Sequence, residues 1–330
     1  MIITNAKHEI ITETEPLKKI ERIARICYKS EDKITDGSDI KMINMLIARK
    51  HTAMLEHANI IVSVPESVYT AVKTDIETVL ETIPAINIPD RCYLRFTKHS
   101  KYIISGNIRA WYEYFSNKFF NRNKELYVVI NKHIHNIFNF FDETEIETHN
   151  TCHIITDMSE LSDEERMIHE EISVIFTTDR GVTHELVRMR KASFAQESTR
   201  YCNYSADKFG NHITVIKPCF WNNEIVTNDI TGAALSKYTA WQAACESAEH
   251  YYFALLSNGA TPQEARDVLP TSVKSEIVVT ANLTEWCHIL NLRACDATGK
   301  AHPQMHEITI PLLNDVKISH PFAFSALNAK

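Results

Sequence analysis

The seven glycines, at positions 37, 106, 181, 210, 232, 259 and 299, are spread so thinly through 330 residues that no two share a turn. A Gly-x-Gly-x-x-Gly dinucleotide loop or a phosphate-binding P-loop needs glycines bunched between a strand and a helix. Only a residue without Cβ lets the backbone come that close to a phosphate. Neither motif can be drawn, which excludes a Rossmann or P-loop fold. Any nucleotide or flavin this chain binds is held by side chains and helix ends.

The 44% apolar and 23% charged composition is that of an ordinary globular protein able to bury a substantial core. A net charge of −7 argues against a general nucleic-acid coat, so any anion site must be a local concentration of arginine. No run approaches the ~18 apolar residues that span a membrane, and no signal-peptide core opens the chain. The eight cysteines are scattered with no Cys-x-x-Cys, as expected for reduced thiols in a cytoplasmic protein.

Taken in order, the pattern predicts a β-like start over 1–15 and a helix opened by Pro16. A second helix follows from Ser38 to Lys50, then a strand over Ile60–Val64. Between them, His51, Glu56 and His57 form either a ligand-facing turn or a satisfied core network, and the network is the better reading. A helix over Pro65–Ile83 ends before Pro84 and Pro89, and β-like segments follow at Tyr93–Phe96 and Tyr102–Ile104. Helices then begin at Asn107 and at 123, the second running to 141. Their aromatic stripe reads as core, with a nucleobase-stacking platform as the alternative. Asp142–Glu171 holds eleven acidic residues against one Arg and reads as an exposed connection.

A strand at Glu170–Thr177 leads into the densest polar stretch of the chain. Later come a short strand at Ile213–Ile216, a long helix over Thr231–Ser257, and a short one opened by Thr261-Pro262. A strand at Glu276–Thr280, a helix from Asn282 to Arg293 and a terminal helix from Ala301 complete the pattern. Cys219 reads as structural, because no base is placed to activate it. His302 and His306 lie i,i+4 and read as capping or packing residues. No metal site is expected, since no third ligand stands at a recognisable spacing.

In Asp179–Tyr201, Leu186 and Val187 point to a core, yet Arg188, Arg190 and Arg200 crowd the same length with Ser193, Gln196 and Ser198 between them. Arginine forks and hydroxyls suit phosphate or carboxylate. The competing reading is a solvated helix end paired with Glu185 and Glu197.

The spacing Arg188-x-Arg190, seven residues, then Ser198, followed by Arg200-Tyr201, resembles the signature of the flavin-dependent thymidylate synthases. Met189 stands where that family has histidine. The likeness extends over Arg49–Val64, Phe176–Tyr204 and Tyr252 to about His306, in the family's order. It implies an α+β fold, a mixed or antiparallel sheet flanked by long helices, as one domain over 1–330 with an insertion at about 65–171.

It further implies conversion of dUMP to dTMP, with methylenetetrahydrofolate as carbon donor, FAD as flavin and NADPH as reductant. No protein nucleophile is used, and the expected assembly is a homotetramer with sites between subunits. By matching positions, Glu185, Ser198, Arg200 and Arg266 resemble the phosphate cradle, and Arg293 resembles the arginine at the pyrimidine. His51, Arg188, Met189, Arg190, Asn282, His288 and His302 resemble the flavin contacts. Met189 leaves open an altered product such as 5-hydroxymethyl-dUMP, or a weak nucleotide-binding paralogue. From another class, the basic stretch with the aromatics of 102–127 would make a single-stranded nucleic-acid surface.

Overall fold

A computed structural model describes residues 1–82, 94–118, 120–142, 146, 151–206, 209–221, 225–227 and 234–329. Its strands are β1 (Ile2–Thr4), β2 (Lys7–Ile10), β3 (Asn59–Val64), β4 (Arg95–Lys98), β5 (Tyr102–Asn107) and β6 (His153–Ile155). Then come β7 (Glu171–Asp179), β8 (Ser193–Gln196), β9 (Thr214–Ile216), β10 (Ile225–Thr227), β11 (Ala234–Ser236) and β12 (Lys274–Asn282). Two four-stranded antiparallel sheets dominate, ordered β2-β7-β12-β8 and β4-β5-β3-β6. A parallel β1-β9 pair and an antiparallel β10-β11 pair complete the set. The α+β expectation with a mostly antiparallel sheet holds.

The helices are α1 (Pro16–Tyr28), α2 (Ser38–Ala48), α3 (Glu66–Thr82), α4 (Ile108–Ser116), α5 (Lys124–His133) and α6 (Asp163–His169). They continue with α7 (Arg180–Leu186), α8 (Lys237–Ser257), α9 (Pro262–Ala265), α10 (Leu283–Arg293), α11 (Pro303–Ser319) and α12 (Pro321–Phe324). The central sheet is buried on both faces, and its strands alternate accordingly. Val174, Phe176, Ile277 and Val279 face α10 and α11, where Trp286, Ile289 and Leu312 meet them. Ile175 and Val278 face the other way, onto Ile23 and Ile26 of α1. Each large side chain buried here contributes roughly 1.5–3 kcal/mol. The second sheet packs Ile60, Val62 and Ile104 against α1, α2 and the aromatic helix α4.

Three local departures have physical causes. The expected helix over 123–141 stops at His133, because His135 and Asn136 both take left-handed backbone (φ 56°). The Asn131 amide holds that turn, accepting from the Phe138 N–H at 2.9 Å and donating to its carbonyl at 3.1 Å. Helix α8 starts at Lys237, where the Ser236 hydroxyl caps the Thr239 N–H. The expected start at Thr231 lies outside the described residues, as do Pro84 and Pro89.

The described part of the acidic stretch is structured as well. β6 joins the second sheet, and α6 opens on a reciprocal capping box between Ser162 and Glu165. The Ser-x-x-Glu spacing carried that signal in the sequence. Ser162→Ala is expected to cost about 1 kcal/mol, read as a lowered midpoint in urea unfolding.

Candidate active site

The polar stretch folds around the end of β7. Asp179, buried, caps α7 by accepting the Val182 N–H on Oδ1 at 2.9 Å, and its Oδ2 accepts from Gln304 Nε2 at 2.7 Å. Burial raises its pKa against those contacts. Leu186 closes α7 against the core, whereas Val187 is 43% exposed, so the apolar end predicted for both stops one residue earlier. The chain then turns through Arg188–Ala192 into β8, which lies along β12 at the edge of the central sheet.

Met189 points inward, 8% exposed, into the apolar cluster that covers the sheet below α10. Arg188 and Arg190 on either side are exposed. With Lys191, Thr284, Glu285 and His288 they line a cleft of about 460 Å³. Burial raises the Glu285 carboxyl, with His288 and Lys191 opposing.

Across α7, Glu185 meets the end of α10. Arg293 Nη2 donates to the Glu185 carbonyl at 3.1 Å, and Nη1 approaches its Oε2 at 3.5 Å. Arg293 Nε is buried with no partner. Glu185, Arg293, Lys300 and His302 share a cleft of about 530 Å³. The neighbouring cleft, also bordered by Glu185 and His302, is walled by Phe220, Trp221 and Trp241. Those aromatics, with Asp179 and Gln304, were not singled out in the sequence, and no spacing marks them. Cys219 is exposed, and partial desolvation and the Glu307 carboxylate hold its thiol above the ordinary value, the opposite of what activates a nucleophile.

The remaining candidates lie apart. Ser198 and Arg200 occupy the turn after β8, where the Ser198 hydroxyl accepts the Arg200 N–H at 3.3 Å. Arg266 is exposed on the 3-10 turn after α9. His51 is exposed at the start of the turn before β3, and His288 is exposed on α10. The Asn282 side chain is occupied: it caps α10 through the Glu285 N–H and donates to the Ile168 carbonyl at 3.1 Å. His302 caps α11 and lies edge-on to Phe220 at 5.5 Å, while His306 pairs with Asp296 at 2.8 Å.

The network reading of the 51–57 segment holds for Glu56 and His57 and not for the exposed His51. Glu56 binds Arg109 at 2.7 Å and the Ser193 hydroxyl at 2.9 Å, and His57 Nδ1 meets Thr280 Oγ1 at 2.7 Å.

Two readings need correction. Ser193 and Gln196 do not line an anion cradle: Ser193 serves Glu56, and Gln196 donates to Thr183 and Ser275. Nor do Glu185 and Glu197 neutralise the motif arginines, because Glu185 pairs with Arg293 and Glu197 with Lys274 at 2.9 Å. Among the described residues, no carboxylate lies within ion-pair distance of Arg188, Arg190, Arg200 or Arg266. Among the described residues no group of three or more metal-ligating side chains gathers, and no helix formed by them is long and apolar enough to cross a membrane.

A profile of the thymidylate synthase complementing protein family matches residues 9–72 and 131–322. The chain is 28% identical over 145 residues to the flavin-dependent thymidylate synthase of Geobacter sulfurreducens, covering 44% of this chain and 55% of that protein. It is 32% identical over 145 residues to that of Sulfolobus acidocaldarius, covering 44% and 48%. It therefore spans about half the length of the curated relatives it matches. A solved UMP/dUMP methylase from Streptomyces cacaoi aligns over 99% of this chain and 98% of its own. That alignment has 17% identity and a TM-score of 0.40, too low for comparing sites.

Proposed function

The chain belongs to the thymidylate synthase complementing protein family, and on that premise we propose that it methylates dUMP to dTMP, taking the carbon from methylenetetrahydrofolate. Reduced FAD supplies the hydride when bound, with NADPH as its reductant. The observation that carries the reading is that Arg188, Arg190, Arg200 and Arg266 are exposed while Glu185 and Glu197 are committed to other cations. Guanidinium forks left open to solvent suit the phosphate of a nucleotide and the pyrophosphate of a flavin.

Arg188, Arg190 and His288, lining one cationic cleft with Met189, are the residues that would hold the flavin, with His51 and His302 as further contacts. Asn282 serves the flavin by fixing the start of α10, the helix that carries His288 and Arg293. Ser198, Arg200 and Arg266 bind the substrate phosphate, with Glu185, which lies in a different cleft of the same chain, as a further contact. Arg293 acts at the pyrimidine, where its charge stabilises negative charge on the ring oxygens as the 5-position becomes nucleophilic. Within one chain these groups fall in separate clefts, which supports a homotetramer whose sites draw on more than one subunit.

A second reading rests on Met189, which packs as core and presents no ring nitrogen where the family has histidine. Mass spectrometry separates the two. Protein given FAD, NADPH, methylenetetrahydrofolate and dUMP is expected to yield dTMP, and Met189→His to yield the same product. 5-Hydroxymethyl-dUMP from the native protein would favour the second reading. Colourless protein that makes neither product would sink both.

A further inference from the structure

The turn that carries Ser198 and Arg200 is anchored from outside the motif, by the C-terminal end of α1. The Ser198 N–H donates to the Cys27 carbonyl at 3.1 Å, and the Tyr201 ring lies 5.6 Å from that of Tyr28. Lys29 follows, in left-handed backbone (φ 49°, ψ 58°), so the end of the helix bends and delivers its side chain beneath the turn. Its ammonium binds Glu276 on β12 and stands 4.0 Å from Glu197 Oε2.

Glu197, 2% exposed, immediately precedes Ser198. It is tied to β12 three times: its N–H to the Glu276 carbonyl at 2.8 Å, the Glu276 N–H to its Oε2 at 3.2 Å, and Lys274 at 2.9 Å. Lys274 also reaches Glu276 at 3.0 Å, closing a ring of two ammoniums and two carboxylates. Burial opposes the charges of Lys274 and Glu276, yet the carboxylates raise Lys274 and the ammoniums lower Glu276, which favours the charged form of both.

A half-buried, charge-balanced ring centred on the buried Glu197 costs desolvation, and similar packing could be had from apolar groups. What it supplies is a fixed geometry for the residue next to Ser198. We propose that Lys29 and Lys274 are positioning residues for the phosphate cradle, holding Glu197 so that the Ser198 hydroxyl and the Arg200 guanidinium meet one anion. The proposal rests on the reading of Ser198 and Arg200 as phosphate contacts.

Calorimetric binding of dUMP and of deoxyuridine, which lacks the phosphate, provides the test. Lys29→Met is expected to weaken dUMP about tenfold and leave deoxyuridine unchanged, as for a misaligned charge-assisted contact. Lys29→Arg should restore most of the loss. Glu276→Gln, which keeps the shape of the ring, should shift the ratio the same way and serves if Lys29→Met does not fold. A merely structural brace would lower both affinities together or neither, and an unchanged ratio overturns the proposal. Arg200→Ala locates the failure. If it collapses the ratio while the Lys29 and Glu276 variants do not, the positioning role is wrong. If it too leaves the ratio unchanged, the phosphate reading has failed first.

Discussion

Arg293→Ala is expected to abolish turnover while flavin stays bound. In the structure Arg293 is held by the Glu185 carbonyl and carboxylate, and its Nε is buried without an acceptor. A guanidinium fixed in this way is already oriented before charge develops, which is where electrostatic stabilisation is greatest. Removing one such donor lowers kcat by about 10²–10³-fold. The cationic cleft of Arg188, Arg190 and His288 does not include Arg293, so the flavin absorbance of the purified variant should match the native protein. Assays of dTMP formation and of bound flavin on one preparation decide it. Undiminished turnover would remove Arg293 from the mechanism, and loss of flavin along with turnover would make it a cofactor residue instead.

A steep loss of stability in mild acid is the second large effect. His57 and His169 are fully buried, and desolvation pushes their pKa values down to about 3 and about 4. His57 lies against Thr280, and His169 bridges Thr97 at 2.8 Å and Ser105 at 2.7 Å. Both are neutral in the fold and protonate readily once it opens. Their contribution is intact above the unfolded value of ~6.5 and is lost as pH falls towards the folded values, at about 1.4 kcal/mol per unit for each histidine. By pH 5 the pair removes on the order of 4 kcal/mol, much of an ordinary domain's margin. Thermal midpoints at pH 7.5 and pH 5 should diverge strongly in the native protein and less in a His57→Asn/His169→Asn double variant. An equally steep acid limb in the variant would place the titration elsewhere.

Much of this organisation was legible because it is local. Glycine spacing excluded the nucleotide-loop folds, Pro16 and Thr261-Pro262 marked helix starts, and the arginine spacing carried the family. Three of the α4 aromatics also read correctly as core: Trp111, Tyr114 and Phe115 are fully buried, so these rings are not available as a stacking platform. What could not be read is what joins residues far apart in the chain. Glu185 and Arg293 meet across 108 positions, and Asp179 and Gln304 across 125. Charge pattern alone placed Glu197 beside the arginines, whereas β12 brings Lys274 to it and leaves them unpaired. The inward turn of Met189 depends on how the Arg188–Ala192 loop crosses the core, which no period encodes.

Both borders of the central sheet are strands of four residues, β2 and β8, flanking two strands of nine. An exposed strand border is a template on which a second molecule can add, and short length and flanking cations are how soluble proteins discourage that growth. β8 follows one residue after Arg188, Arg190 and Lys191, so the residues that make the cleft cationic also flank one border of the sheet. Neutralising them to alter the cleft would also strip the cations from that border, so charge at the cleft and charge at the sheet border change together.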